Sequence, residues 1–114
     1  MRFALLSPML VLTIVVRPAH GQAADGLAVY KQECKSCHGI NGVPPARERA
    51  KYKKIRTLGD SGFVADLSKD SIVTILKNGI DKNMKSFKDK LEPDEMEAVA
   101  GYIKDFAEKK RSGG

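Results

Sequence analysis

The stretch Cys34-Lys35-Ser36-Cys37-His38 decides how this 114-residue chain is read. Two thiols three positions apart, followed at once by an imidazole, meet a specific chemical demand. The thiols can add across the two vinyl groups of a porphyrin while the ring nitrogen binds its iron. The C-x-x-C-H spacing is therefore the attachment signature of a c-type haem. Cys34 and Cys37 are the only cysteines, so no thiol is left for a separate disulfide and no second pair completes a four-thiolate zinc site.

Two other chemistries compete for the same residues. A dithiol redox centre of the thioredoxin kind follows a buried strand in a βαβ pattern, and no Val/Ile-rich run precedes Cys34. A Cys34–Cys37 disulfide closes so short a loop that it gains little from chain entropy. Neither accounts for His38.

The start of the chain agrees with export, where c-type attachment takes place. Met1-Arg2 is a short positive start, 3–16 is an apolar run broken only by Ser7, Pro8 and Thr13, and small residues follow. That is the pattern of a secretory signal, and the run is shorter than the roughly 20 residues a membrane span needs. Residues 1–21 are expected to be cleaved after Gly21, with cleavage after Ala23 as the alternative, leaving 22–114 as one domain. Removal takes Arg2 and Arg17, so the formal balance falls from +6 to +4, and it takes His20, leaving His38 as the only imidazole.

Along 22–114 the apolar spacing is helical and nothing alternates like a strand. Asp25 suits an N-cap for a short helix that carries Leu27 and Tyr30 into Cys34. The segment 39–45, Gly-Ile-Asn-Gly-Val-Pro-Pro, reads as a turn-filled loop. Residues 47–56 hold six basic side chains and one acidic one, and suit either a helix or an irregular solvated segment. Ser68 caps a helix through Ile72, Ile75 and Leu76 that stops at Gly79. Pro93 fits the first position of a last helix, with Asp94 and Glu95 at its positive end and Met96, Val99, Ile103 and Phe106 on one stripe.

A second donor to iron is sought among few candidates: outside the leader the methionines are Met84 and Met96. Met96 lies on the apolar stripe, where filling core space explains it. Met84 sits in a polar stretch, 79–87, between two helices, with only Ile80 and Phe87 as apolar neighbours at helical spacing. A thioether there has little purpose unless it points inward.

These residues together resemble the class I c-type cytochromes: a helix entering C-x-x-C-H-Gly, a Pro-containing loop, a helix ending in Gly, a methionine loop and a final helix with an aromatic, over 26–106. The resemblance implies an all-α fold, about four short helices wrapped around one covalently attached haem c. It implies His38 as the proximal ligand and Met84 as the distal one. It also implies that Pro45, with Pro44 as the alternative, offers its carbonyl to the other ring nitrogen of His38, and that Gly26 and Tyr30 meet Val99 and Tyr102 where the first and last helices cross. Two positions depart from the family: Lys85 stands where proline usually follows the methionine, and Glu92 where Ser or Thr usually opens the last helix.

Such a ligand set implies a non-enzymatic one-electron carrier of the periplasm, taking electrons from a quinol-oxidising complex or dehydrogenase and passing them to a terminal oxidase or similar acceptor. Lys77, Lys82, Lys85, Lys88 and Lys90 around the methionine loop suit a redox partner with an acidic docking surface. Nucleic acid is not an expected partner, since acids are interspersed with the basic residues. The alternative, prompted by Lys85, is a haem sensor or peroxidase-like protein with a labile distal site; a subunit fixed to one dehydrogenase is a third reading. A chain of about 93 residues has a marginal core and needs a staple. Cys34→Ala, Cys37→Ala protein made without attached haem should lose its cooperative thermal transition, which circular dichroism against the haem-bearing protein checks.

Overall fold

Five helical segments make up the computed structural model, which describes residues 24–59 and 62–112. The expected leader lies outside these residues. Each helix begins where local chemistry starts it. For α1 (Gly26–Glu33), the Asp25 carboxylate accepts the Leu27 and Ala28 amides at 3.0 and 3.4 Å, satisfying two of the donors that a helix start leaves open. Cys34 stays in the right-handed helical region (φ −116°, ψ −36°), and the one-turn α2 (Lys35–His38) follows immediately, so the two thiols and the imidazole ride on the continuation of α1. Gly39, at φ 79°, ends that turn.

The basic segment divides. Its first part is α3 (Ala46–Lys51), and 52–59 is irregular. Helix α4 (Lys69–Asn78) starts on the Ser68 hydroxyl, which accepts the Ser71 amide at 3.0 Å, and ends at Gly79, φ 71°. Helix α5 (Pro93–Ser112) has no Ser or Thr cap. Glu95 supplies half of a capping box instead, its carboxylate accepting the Glu92 amide at 2.8 Å. Among the described residues no strand forms; one isolated bridge pairs Ile80 with Met84.

Helix α5 is the spine on which α1 and α4 pack. Tyr30, Ile72, Leu76, Val99, Ala100 and Ile103 are buried there, and Met96, 2% exposed, fills core space as its stripe position implied. The α1–α5 crossing depends on Gly26, whose missing side chain lets the Ala98 carbonyl and the Tyr102 Cβ come against its backbone. Tyr30, Tyr102 and Phe106 close the crossing as a mutual aromatic cluster with ring centroids 4.9–5.3 Å apart. The irregular stretch before α4 is pinned to α5 by Lys104, whose ammonium donates to the Ala65 and Leu67 carbonyls at 3.2 and 2.7 Å. No helix among the described residues is long and apolar enough to cross a membrane.

Two glycines, one on each of the crossing helices, respond oppositely to a methyl group. Gly26→Ala drives Cβ into the backbone of α5 and should destabilise the fold by about 1–3 kcal/mol. Gly101→Ala on α5 meets nothing within 4 Å and should stabilise it by about 0.5–1 kcal/mol through helix propensity. Denaturant midpoints of the two variants check the pair.

Candidate functional site

A cavity of about 420 Å³ gathers the residues singled out by the sequence: Cys34, Cys37, His38 and Met84 all line it. Its remaining wall is largely apolar, with Val64, Leu67, Leu76 and Phe87 prominent. The first three residues arrive on α1 and α2, and Met84 arrives from a loop forty-six positions beyond His38.

Two features of the structure act on the protonation of the His38 imidazole. Burial lowers its pKa below the usual histidine range, and the carbonyl of Arg56 partly opposes that shift. That carbonyl lies 3.3 Å from Nδ1 and can only accept, so the neutral ring carries its proton on Nδ1 and leaves the Nε2 lone pair free. Pro45, named as the expected acceptor, does not take this role. Its carbonyl accepts the Arg49 amide at 3.0 Å as the first backbone bond of α3, and the Pro44 carbonyl accepts the Arg49 guanidinium at 2.6 Å. Both prolines stand at the start of α3, and the carbonyl that passes the ring is that of Arg56.

The two thiols are unbridged, Cys34 buried and Cys37 half-buried. Burial first, then the charges of Glu33 and Cys37, push the Cys34 thiol up to about 12. A dithiol redox centre is activated by the opposite shift, and no group of three or more His, Cys, Asp or Glu among the described residues is placed to hold a metal ion.

Met84 is held by backbone bonding. Ile80 and Met84 exchange both main-chain hydrogen bonds, at 2.8 and 3.1 Å, closing a small loop in which Asp81 takes φ 51°. The loop is then stitched to the C-terminal end of α4. The Phe87 amide donates to the Leu76 carbonyl at 2.8 Å, and the Ser86 hydroxyl donates to the Lys77 carbonyl, using acceptors that the helix leaves open. A side chain at Gly79 would strike the backbone of Met84 and Lys85. Met84 itself is half-buried against the core.

A family model described as cytochrome c oxidase, cbb3-type, subunit III matches residues 21–103. The chain belongs to the class I c-type cytochromes. It is 30% identical over 110 residues to a cytochrome c6-like protein of Nostoc sp., covering 96% of this chain and 94% of that one. It is 32% identical over 88 residues to a cytochrome c6 of Synechocystis sp., covering 75% and 67% respectively. Among solved structures, the KustC0563 c-type cytochrome is similar with a TM-score of 0.64 at 32% identity, covering 72% of this chain and 96% of that one. The cytochrome is an electron-transfer protein that carries covalently bound haem c, and its cavity suits that group. The cavity combines an apolar wall, two adjacent thiols, an imidazole whose free lone pair is already fixed, and a soft sulfur donor.

Two contributors escaped the sequence reading. Arg56 acts through its carbonyl, a group every residue has, and no pattern marks it. Tyr30 was expected only at the helix crossing, yet its phenol, on a fully buried side chain, also donates to the Gly39 carbonyl at 2.6 Å, securing the residue after His38 from the core side. A phenol on an apolar helix face must find an acceptor, and that signal was available.

Burial, reinforced by the Cys34 and Tyr102 charges, raises the Tyr30 pKa well above the usual tyrosine value of 10.0. Above pH 10 the unfolded chain releases this proton and the folded one retains it. Stability from this group therefore falls as pH rises, by up to about 1.4 kcal/mol per unit. Tyr30→Phe should remove that contribution above pH 10 and cost about 0.5–1.5 kcal/mol at neutral pH for the lost hydrogen bond. Denaturant titrations of both cytochromes at pH 7 and pH 11 check it.

Proposed function

We propose that this cytochrome is a periplasmic one-electron carrier in which Cys34 and Cys37 bond the haem, and His38 and Met84 are its axial ligands. The observation that carries the reading is the single cavity lined by both thiols, the imidazole and the thioether. When bound, haem c supplies exchange of one electron between ferric and ferrous iron. The chain's own residues restrict the chemistry to that exchange. His38 presents its Nε2 lone pair because Arg56 occupies Nδ1, and the loop bonds from Ile80, Ser86 and Phe87 keep Met84 beside the cavity. With both donors engaged, no position stays open for oxygen or another small ligand. A thioether opposite an imidazole raises the reduction potential, which suits a carrier between a quinol-oxidising complex or dehydrogenase and a terminal oxidase or similar acceptor.

The loop geometry favours this reading over a labile distal site. Lys85 lacks the rigidity of a proline, but the Ile80–Met84 pair and the two bonds to the end of α4 restrain the backbone on both sides of it. Export through a leader of residues 1–21 and reaction outside the cytoplasm complete the proposal.

Docking is assigned to the methionine-loop face. Lys77, Lys82, Lys85, Lys88 and Lys90 are all exposed, with Asp81 and Asp89 as the acids among them. Lys90 lies 3.9 Å from the half-buried Glu33, and its own side chain stays largely exposed. This excess attracts an acidic partner surface, and salt screens the attraction.

Met84→Ala decides between the carrier and an open haem site. The wild-type cytochrome should show the red-edge absorption of methionine on ferric iron and bind no carbon monoxide when reduced. The variant should lose that band, bind carbon monoxide and titrate at a lower potential. A wild-type protein that binds carbon monoxide readily favours the sensor reading.

A further inference from the structure

The carbonyl that receives the Nδ1 proton of His38, 3.3 Å away, belongs to a residue with no rigidity of its own. Arg56 lies in the irregular stretch 52–59. A proline at such a point fixes its backbone through the ring; an arginine must be restrained by its surroundings. Downstream, the Leu58 and Gly59 amides donate to the Gly42 carbonyl at 2.7 and 3.1 Å. The second restraint comes from the side chain. Its guanidinium carbon sits over the ring of Phe63, 4.7 Å from the centroid, and both residues line the same cavity as His38. Arg56 therefore touches the imidazole through its main chain and the cavity wall through its side chain.

We propose that Arg56 is the positioning residue for the His38 imidazole, its guanidinium stacked on Phe63 holding its carbonyl where it accepts the Nδ1 proton and so setting how strongly the ring donates to iron. The proposal rests on the reading of His38 as an axial ligand. A carbonyl that accepts from the outer ring nitrogen makes the imidazole more basic. A more basic donor favours ferric iron, so a tight His38–Arg56 bond lowers the potential and a loose one raises it. The positive charge of Arg56 acts in the opposite sense, since a cation beside the cavity favours the more reduced state. Phe63→Leu separates the two effects because it removes the stack and keeps the Arg56 charge on the chain.

The test uses the haem-bearing cytochrome, with redox titration and proton magnetic resonance of Nδ1–H exchange in the reduced form. Phe63→Leu should exchange that proton roughly two- to fivefold faster, the factor matching an exposed cation–π contact, and should titrate at a higher potential. Phe63→Tyr keeps the ring and should restore both values. Arg56→Gln should show the faster exchange without the full rise in potential, because it also removes the charge. Unchanged exchange in Phe63→Leu overturns the proposal. So does a fall in its potential, the sign expected if Phe63 only excludes water. If wild-type His38 gives no iron-bound imidazole signal, the ligand reading itself fails, whereas failure of the Phe63 variants leaves that reading intact.

Discussion

The buried phenol of Tyr30, donating to the Gly39 carbonyl between α1 and α5, joins the packing of this cytochrome to its chemistry. On one side the ring belongs to the aromatic cluster with Tyr102 and Phe106 that closes the helix crossing. On the other, its hydroxyl holds the backbone immediately after His38. The crossing itself is possible because Gly26 lets α5 come against α1. Core geometry is transmitted in this way, within a few residues, to the turn that carries both thiols and the imidazole. An aromatic core tolerates little displacement, so that turn inherits its rigidity.

The Met84 side is built on a different principle. Its restraint comes from main-chain hydrogen bonds, within the loop and to the open carbonyls at the end of α4, with less contribution from burial. Hydrogen bonds at a partly exposed loop contribute individually about 1 kcal/mol, so the loop relies on several of them acting together. The two proposed donors to iron are therefore held by different devices. The His38 side is tied to the core through the Tyr30 phenol, whereas the Met84 side is restrained by main-chain bonds and the Ser86 hydroxyl.

Charge is distributed unevenly over the same framework. In the basic stretch 47–56 the one acid, Glu48, is buried and lies 3.1 Å from the Arg47 guanidinium. It offsets little of the positive surface that Arg49, Lys51, Lys53 and Lys54 present. The methionine-loop lysines add a second basic area, and the stack of Arg56 on Phe63 draws one of these charges toward the cavity wall.

Much of this was legible in the chain alone, because it is decided by local rules. Asp25, Ser68 and Pro93 mark helix starts through groups within a few residues of each cap, Gly79 marks an end where φ is positive, and the C-x-x-C-H spacing names its cofactor by the chemistry of adjacent side chains. The segregation of Met96 to the core and Met84 to a loop also followed from periodicity. The tertiary structure alone decided which carbonyl meets His38, where the Tyr30 hydroxyl goes, and how a loop without proline after its methionine is closed. Backbone carbonyls are identical at every position and carry no signature in sequence. Which of them arrives beside the half-buried His38 ring depends on how far an irregular segment travels before it passes that point, and here it is Arg56 rather than either proline.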